Sequence, residues 1–108
     1  MKNENFEYCK RIAEEIEAAH RCEALNEDGE EVTLYDYIAD ALDVEYIIDS
    51  RREYKAGRVF VTLGGPTVWV DTARRSVCLA WGAERAEYLL DIDAASAIDE
   101  ILEEFYNC

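Results

Sequence analysis

A chain of 108 residues with 25 acidic and 11 basic side chains carries a formal charge of −14, which excludes the basic footprint that proteins use to displace counterions from phosphate. The same charge disfavours anionic membrane surfaces and favours solubility and a basic partner. Half of the residues are hydrophobic and 11% are aromatic, enough to fold, and the length suits a single domain over residues 1–108.

The opening "MKNENFEYCKRIAEE" is charged where a signal peptide needs its apolar run. No apolar segment approaches the ~18–20 residues that span a membrane, so the expected compartment is the cytoplasm. Residues 3–21 then place Phe6, Cys9, Ile12, Ala13, Ile16 and Ala19 at three- and four-residue intervals, which predicts an amphipathic helix with one apolar stripe. Asp28-Gly29, between Leu25 and Val32, signals a turn that closes a small hairpin or a loop. Thr33 followed by Asp36 resembles a helix N-cap, so a second helix is expected from Leu34 to about Asp43, burying Leu34, Tyr37, Ile38, Ala41 and Leu42.

From Val44 the period changes to two and β-branched and aromatic residues dominate. "VEYIID", "RVFVTL", "TVWVD", "SVCLAW" and "RAEYLL" read as strands. Short connections, one at Gly64-Gly65-Pro66 and one at "TARR", predict antiparallel neighbours. Asp91 or Asp93 caps a last helix through about Tyr106, with Ala94, Ala97, Ile98, Ile101, Leu102 and Phe105 as its apolar stripe. The expected fold class is α+β, ordered ααβββββα. Two N-terminal helices precede an antiparallel meander of four to five strands, and one C-terminal helix follows it.

Charge is distributed unevenly along these elements. Residues 23–49 hold ten acids and no base, residues 91–108 hold six acids and no base, and residues 50–90 hold four acids against seven bases. In a second helix reaching Asp43, Asp36, Asp40 and Asp43 would fall on one face. Four helical residues rise about 6 Å, close to two base-pair steps of about 3.4 Å, so a carboxylate row would imitate the charge spacing of a nucleic-acid strand. The expected partner-binding residues are Glu27, Asp28, Glu30, Glu31, Tyr35, Asp36, Asp40, Asp43 and Glu45, with Tyr37 adding contact area. Asp99, Glu100, Glu103 and Glu104 form a secondary acidic face on the last helix. Changing Asp36, Asp40 and Asp43 together to Asn is expected to weaken partner binding while leaving the fold intact or slightly steadier, because their mutual repulsion is relieved.

No chemical constellation competes with this reading. With Gly29 as the sixth position of an EF-hand, the first and twelfth would be Ala24 and Tyr35, neither a carboxylate. His20 and Cys22 lack paired zinc-ligand spacing, and Cys9, Cys22, Cys78 and Cys108 show no CxxC pair and suit reduced thiols. Cys–His catalysis would require His20, the one histidine, to meet a cysteine and an orienting group. No cofactor, metal or enzymatic activity is therefore expected. Phe60 and Trp69 fall on the sheet face opposite Val59, Val61, Leu63, Val68 and Val70, so helices are expected on one side and a partner or second copy on the other.

Residues 44–108 carry Gly64-Gly65-Pro66, Val70-Asp71-Thr72, Leu79-Ala80-Trp81-Gly82, Ala86-Glu87-Tyr88, Ala97-Ile98-Asp99-Glu100 and Tyr106-Asn107-Cys108. In these the chain resembles a group of small acidic proteins encoded on bacterial mobile elements and phages. In charge it is similar to the DNA mimics that block restriction enzymes and to anti-CRISPR proteins. The resemblance implies a non-enzymatic inhibitor that occupies the basic nucleic-acid site of a defence nuclease, without touching nucleic acid itself. The alternative is an interaction module or homodimer that uses the apolar sheet face, its acids serving solubility alone.

Overall fold

Alternating and helical hydrophobic patterns resolve into eight elements among the described residues. The computed structural model describes the backbone of residues 2–108 and the side chains from residue 4 onward. Helix α1 spans Lys2–His20 and α2 spans Leu34–Ala39. The strands are β1 Asp43–Ile48, β2 Tyr54–Thr62, β3 Thr67–Asp71, β4 Ser76–Trp81 and β5 Glu84–Leu89, and α3 spans Ile92–Tyr106. The five strands form one antiparallel sheet in sequence order, a meander.

All three helices lie on one sheet face. The buried stripe of α1 (Cys9, Ile12, Ala13, Ile16, Ala19) and that of α3 (Ala94, Ala95, Ile98, Leu102) pack on Val59, Val68, Val70, Val77 and Leu79. Each fully buried aliphatic side chain of this kind stabilises the fold by about 1.5–3 kcal/mol. Phe6, expected in the stripe, is exposed at 43%, but its ring meets Tyr88 edge-on at 5.3 Å. Helix α1 stops where Cys22 takes a left-handed φ of 61° and the Glu23 N–H donates to the Ala18 carbonyl at 2.8 Å.

Several boundaries differ from expectation, those of α1, β1 and β5 by one residue and those of α2 and β2 by more. Helix α2 ends at Ala39 instead of about Asp43. Its Thr33–Asp36 capping box is formed, but Asp40 is already the C-cap, and the Leu42 N–H donates to the Phe60 carbonyl at 3.0 Å. The sheet claims the backbone before a third helical turn can form. Leu42 is consequently 62% exposed instead of buried. Asp43 becomes the first residue of β1, opposite Phe60, so the expected helical row of Asp36, Asp40 and Asp43 does not exist. Strand β2 begins at Tyr54, four residues before the expected start, because pairing with β1 recruits Ala56 and Gly57. Leu63 lies beyond the end of β2 and is 54% exposed.

Candidate partner-binding surface

The acidic loop is built by Asn26. Its side-chain oxygen accepts from the N–H groups of Asp28 and Glu30, both at 2.9 Å, and Gly29 completes the turn at φ +80°. This throws Glu27, Asp28, Glu30 and Glu31 outward, and all four are exposed. The adjoining α2 is held by Thr33, whose hydroxyl accepts from the Asp36 N–H at 3.1 Å, while the Asp36 carboxylate accepts from the Thr33 N–H at 3.4 Å. Asp36 and Asp40 both face solvent.

Tyr35 joins the two acidic blocks. Its ring packs edge-on against Phe105 with centroids 5.2 Å apart, tying α2 to the last turn of α3. Glu100, Glu103 and Glu104 are exposed on α3. Asp99 is half-buried instead, accepting a 2.5 Å hydrogen bond from the Tyr54 hydroxyl, so it pins α3 to β2 and contributes little to the surface. Neither α2 nor α3 has a basic residue in its last turn, and Glu103 and Glu104 occupy the end of α3 where the helix dipole disfavours anions. Helix stability does not account for their placement.

Asp43 and Glu45 depart from the group. Both lie on β1 on the sheet face away from the helices, and Glu45 pairs with Arg58 at 3.3 Å. Among the described residues, Glu45 is the one acid of the expected surface that forms an ion pair. Three of the seven bases in residues 50–90 are matched close to home: Lys55 with Asp49 at 3.4 Å, Arg58 with Glu45 and Asp71, and Arg74 with Glu87 at 2.8 Å. Arg51 and Arg52 are exposed, and the Arg52 carbonyl accepts from the Tyr106 hydroxyl at 2.7 Å, which brings the β1–β2 turn beside the end of α3.

The outer sheet face is the second candidate. Phe60 and Trp69 are direct cross-strand partners, their rings stacked at 6.0 Å and 29°, on the floor of a depression of about 780 Å³. Arg58, Asp71, Arg74 and Glu87 also line it. The Glu87 carboxylate takes two 2.8 Å bonds from Arg74 and one from the buried Ser76 hydroxyl, which together hold it well below the usual range, at about 2. The neighbouring Cys78 thiol is pushed up, chiefly by burial. Burial likewise pushes the Cys9 thiol on α1 up to about 11. Neither is a reactive thiolate. All four cysteines are unpaired, with Cys22 and Cys108 exposed.

Of the charged groups around this depression, Glu45 is among the expected partner-binding residues, whereas Asp71, Arg74, Arg85 and Glu87 are not. The alternation that aligns Phe60 with Trp69 also places Arg58 and Asp71 two residues away on the same face, and that signal was sufficient to find them. Among the described residues no group of His, Cys, Asp and Glu has metal-binding geometry, and no helix is long and apolar enough to cross a membrane. No protein-family model, curated protein or solved structure matches this chain.

Proposed function

We propose that this protein is a non-enzymatic inhibitor whose helical layer presents an acidic surface to the basic nucleic-acid site of a defence nuclease, in the manner of anti-restriction or anti-CRISPR proteins. One observation carries this reading: the Tyr35–Phe105 contact unites two acidic blocks, and among the described residues the exposed carboxylates of Glu27, Asp28, Glu30, Glu31, Asp36, Asp40, Glu100, Glu103 and Glu104 lack ion-pair partners, while Lys55, Arg58 and Arg74 are matched by other acids. A single-sign field of this kind steers a basic partner and raises its association rate. The charge imitation is that of a patch, formed by the Glu27–Glu31 loop, Asp36, Asp40 and the α3 acids, and not of a regular helical row. The resemblance of residues 44–108 supplies the defence context.

The test is affinity capture from host lysate at low salt, with elution by rising salt. Recovery of a nucleic-acid enzyme that DNA or RNA displaces, and that the Asp36→Asn/Asp40→Asn variant fails to hold, supports the proposal. Capture that ignores both salt and nucleic acid sinks it.

A second reading is favoured by the stacked Phe60 and Trp69 on the uncovered sheet face. Apolar association through that face predicts a salt-resistant complex, including a homodimer, that Trp69→Ala abolishes. Native mass at micromolar concentration separates the two readings, because salt weakens exposed charge contacts and leaves apolar ones.

A further inference from the structure

A smaller groove, of about 310 Å³, opens where α1, the acidic loop, the end of α2 and β2 meet. Ile12, Val32 and Val61 form its apolar floor, and Glu15, Tyr37 and Asp40 stand along it. Its composition is that of a clamp for an amphipathic cation: hydrocarbon below, two carboxylates at the rim, and an aromatic ring in the wall. Glu15 and Asp40 are both exposed and neither forms an ion pair among the described residues. Arg11, one turn before Glu15, is the natural intrahelical partner. Its guanidinium instead lies over the Tyr8 ring, 4.7 Å from the centroid, which leaves the Glu15 carboxylate free. The Tyr37 hydroxyl is raised from its ordinary range mainly by burial and then by the nearby Glu15, so it stays protonated beside the carboxylates.

We propose that this groove receives one arginine side chain of the basic partner. The methylenes of that side chain cover Ile12, Val32 and Val61, its guanidinium bridges Glu15 and Asp40, and its planar face meets Tyr37. Arginine suits the site better than lysine because its flat, weakly hydrated head both stacks on rings and divides its donors between two carboxylates. This inference rests on the acidic-surface reading and sharpens it, since it turns a diffuse attraction into one with a register. Glu15 lies outside both acid-rich blocks, and only the packing of α1 beside α2 adds it to the surface.

The test is a titration of the full, isotope-labelled chain with hexa-arginine and hexa-lysine peptides at low salt, followed by amide chemical shifts. The expected result is saturable shifts centred on Ile12, Val32, Tyr37 and Val61, stronger for hexa-arginine. A Glu15→Gln/Asp40→Asn variant should bind about tenfold more weakly, the equivalent of one charge-assisted hydrogen bond. A Glu7→Gln/Glu14→Gln variant, which loses the same charge elsewhere on α1, should lose less than about threefold; dispersed spectra verify that both variants are folded. Shifts scattered over the acidic surface with equal losses in the two variants would overturn the groove while leaving the acidic-surface reading standing. Equal binding of the two peptides would overturn the choice of arginine. No binding of either peptide would remove both the groove and the reading on which it rests.

Discussion

Tyr35 on α2 and Phe105 on α3 meet edge to face, their ring planes at 86° and their centroids 5.2 Å apart, although seventy positions separate them in the chain. The pair is the hinge of the candidate surface, because it sets the acidic loop and α2 against the acidic end of α3. Aromatic pairs in this geometry contribute about 0.5–1.5 kcal/mol beyond the area they bury. Phe105→Ala is therefore expected to lower stability by at least about 1 kcal/mol, allowing for lost apolar burial. Tyr35→Ala should cost less, since Tyr35 is 52% exposed. Urea denaturation measures both, and equal, negligible effects would show that the contact does not hold the two helices together.

Gly57 in β2 leaves room for the core side of α3. A Cβ at this position would stand 2.5 Å from Cδ1 of Leu102 and 3.1 Å from the Glu45 carbonyl oxygen. Leu102 is fully buried and cannot swing away. Gly57→Ala is expected to destabilise the protein by about 1–3 kcal/mol through overpacking, measured as a lower denaturation midpoint with an unchanged slope. Gly57→Ala with Leu102→Val should recover part of the loss.

Glu87 makes stability depend on pH at the acid end. Its folded-state pKa of about 2 lies below its ordinary value of 4.5. The stability it contributes is therefore fully present above about 4.5 and is lost as pH falls from there through 2. Glu87→Gln is expected to destabilise the protein by up to about 1 kcal/mol at pH 7, the upper range for a partly exposed pair. The difference from the parent chain should shrink as pH is lowered from 4.5 toward 2. Denaturation curves across that window check the sign, and a difference that grows toward acid would contradict it.

The Thr33–Asp36 capping box supports a helix of only six residues, too short to persist without help. Thr33→Ala should cost about 1 kcal/mol, the usual loss of an N-cap. Asp36→Asn should cost less, since the amide oxygen still accepts from the Thr33 N–H. The triple Asp36→Asn/Asp40→Asn/Asp43→Asn variant is thus expected to be close to neutral in stability and not steadier. Relief of repulsion is small once Asp43 lies on a strand. Thermal midpoints of the three variants, measured together, test this ordering.

Much of the architecture was legible in local patterns. β-Branched and aromatic alternation located "TVWVD" and "SVCLAW" with the observed bounds of β3 and β4, and the three-and-four spacing of α1 and α3 picked out most of their buried residues. The choice between Asp91 and Asp93 stayed open in sequence because either can cap. Asp91 does so, accepting from the Ala94 N–H at 3.2 Å. The two acid-rich blocks were equally plain, since a count of charge along the chain needs no coordinates.

What side-chain chemistry and periodicity determined was the fold class, the strand order and the existence of two acidic segments that contain no base of their own, because each depends on neighbours within a few residues. Only tertiary structure decided where α2 stops, since the Leu42 to Phe60 hydrogen bond competes with a further helical turn and comes from a distant strand. Tertiary structure likewise decided that Arg58 and Arg74 spend their charge on sheet acids, that Asp99 serves Tyr54, and that Glu15 joins the acidic surface. Such pairings are set by which elements pack together, and no local period encodes a contact between residues so far apart in sequence.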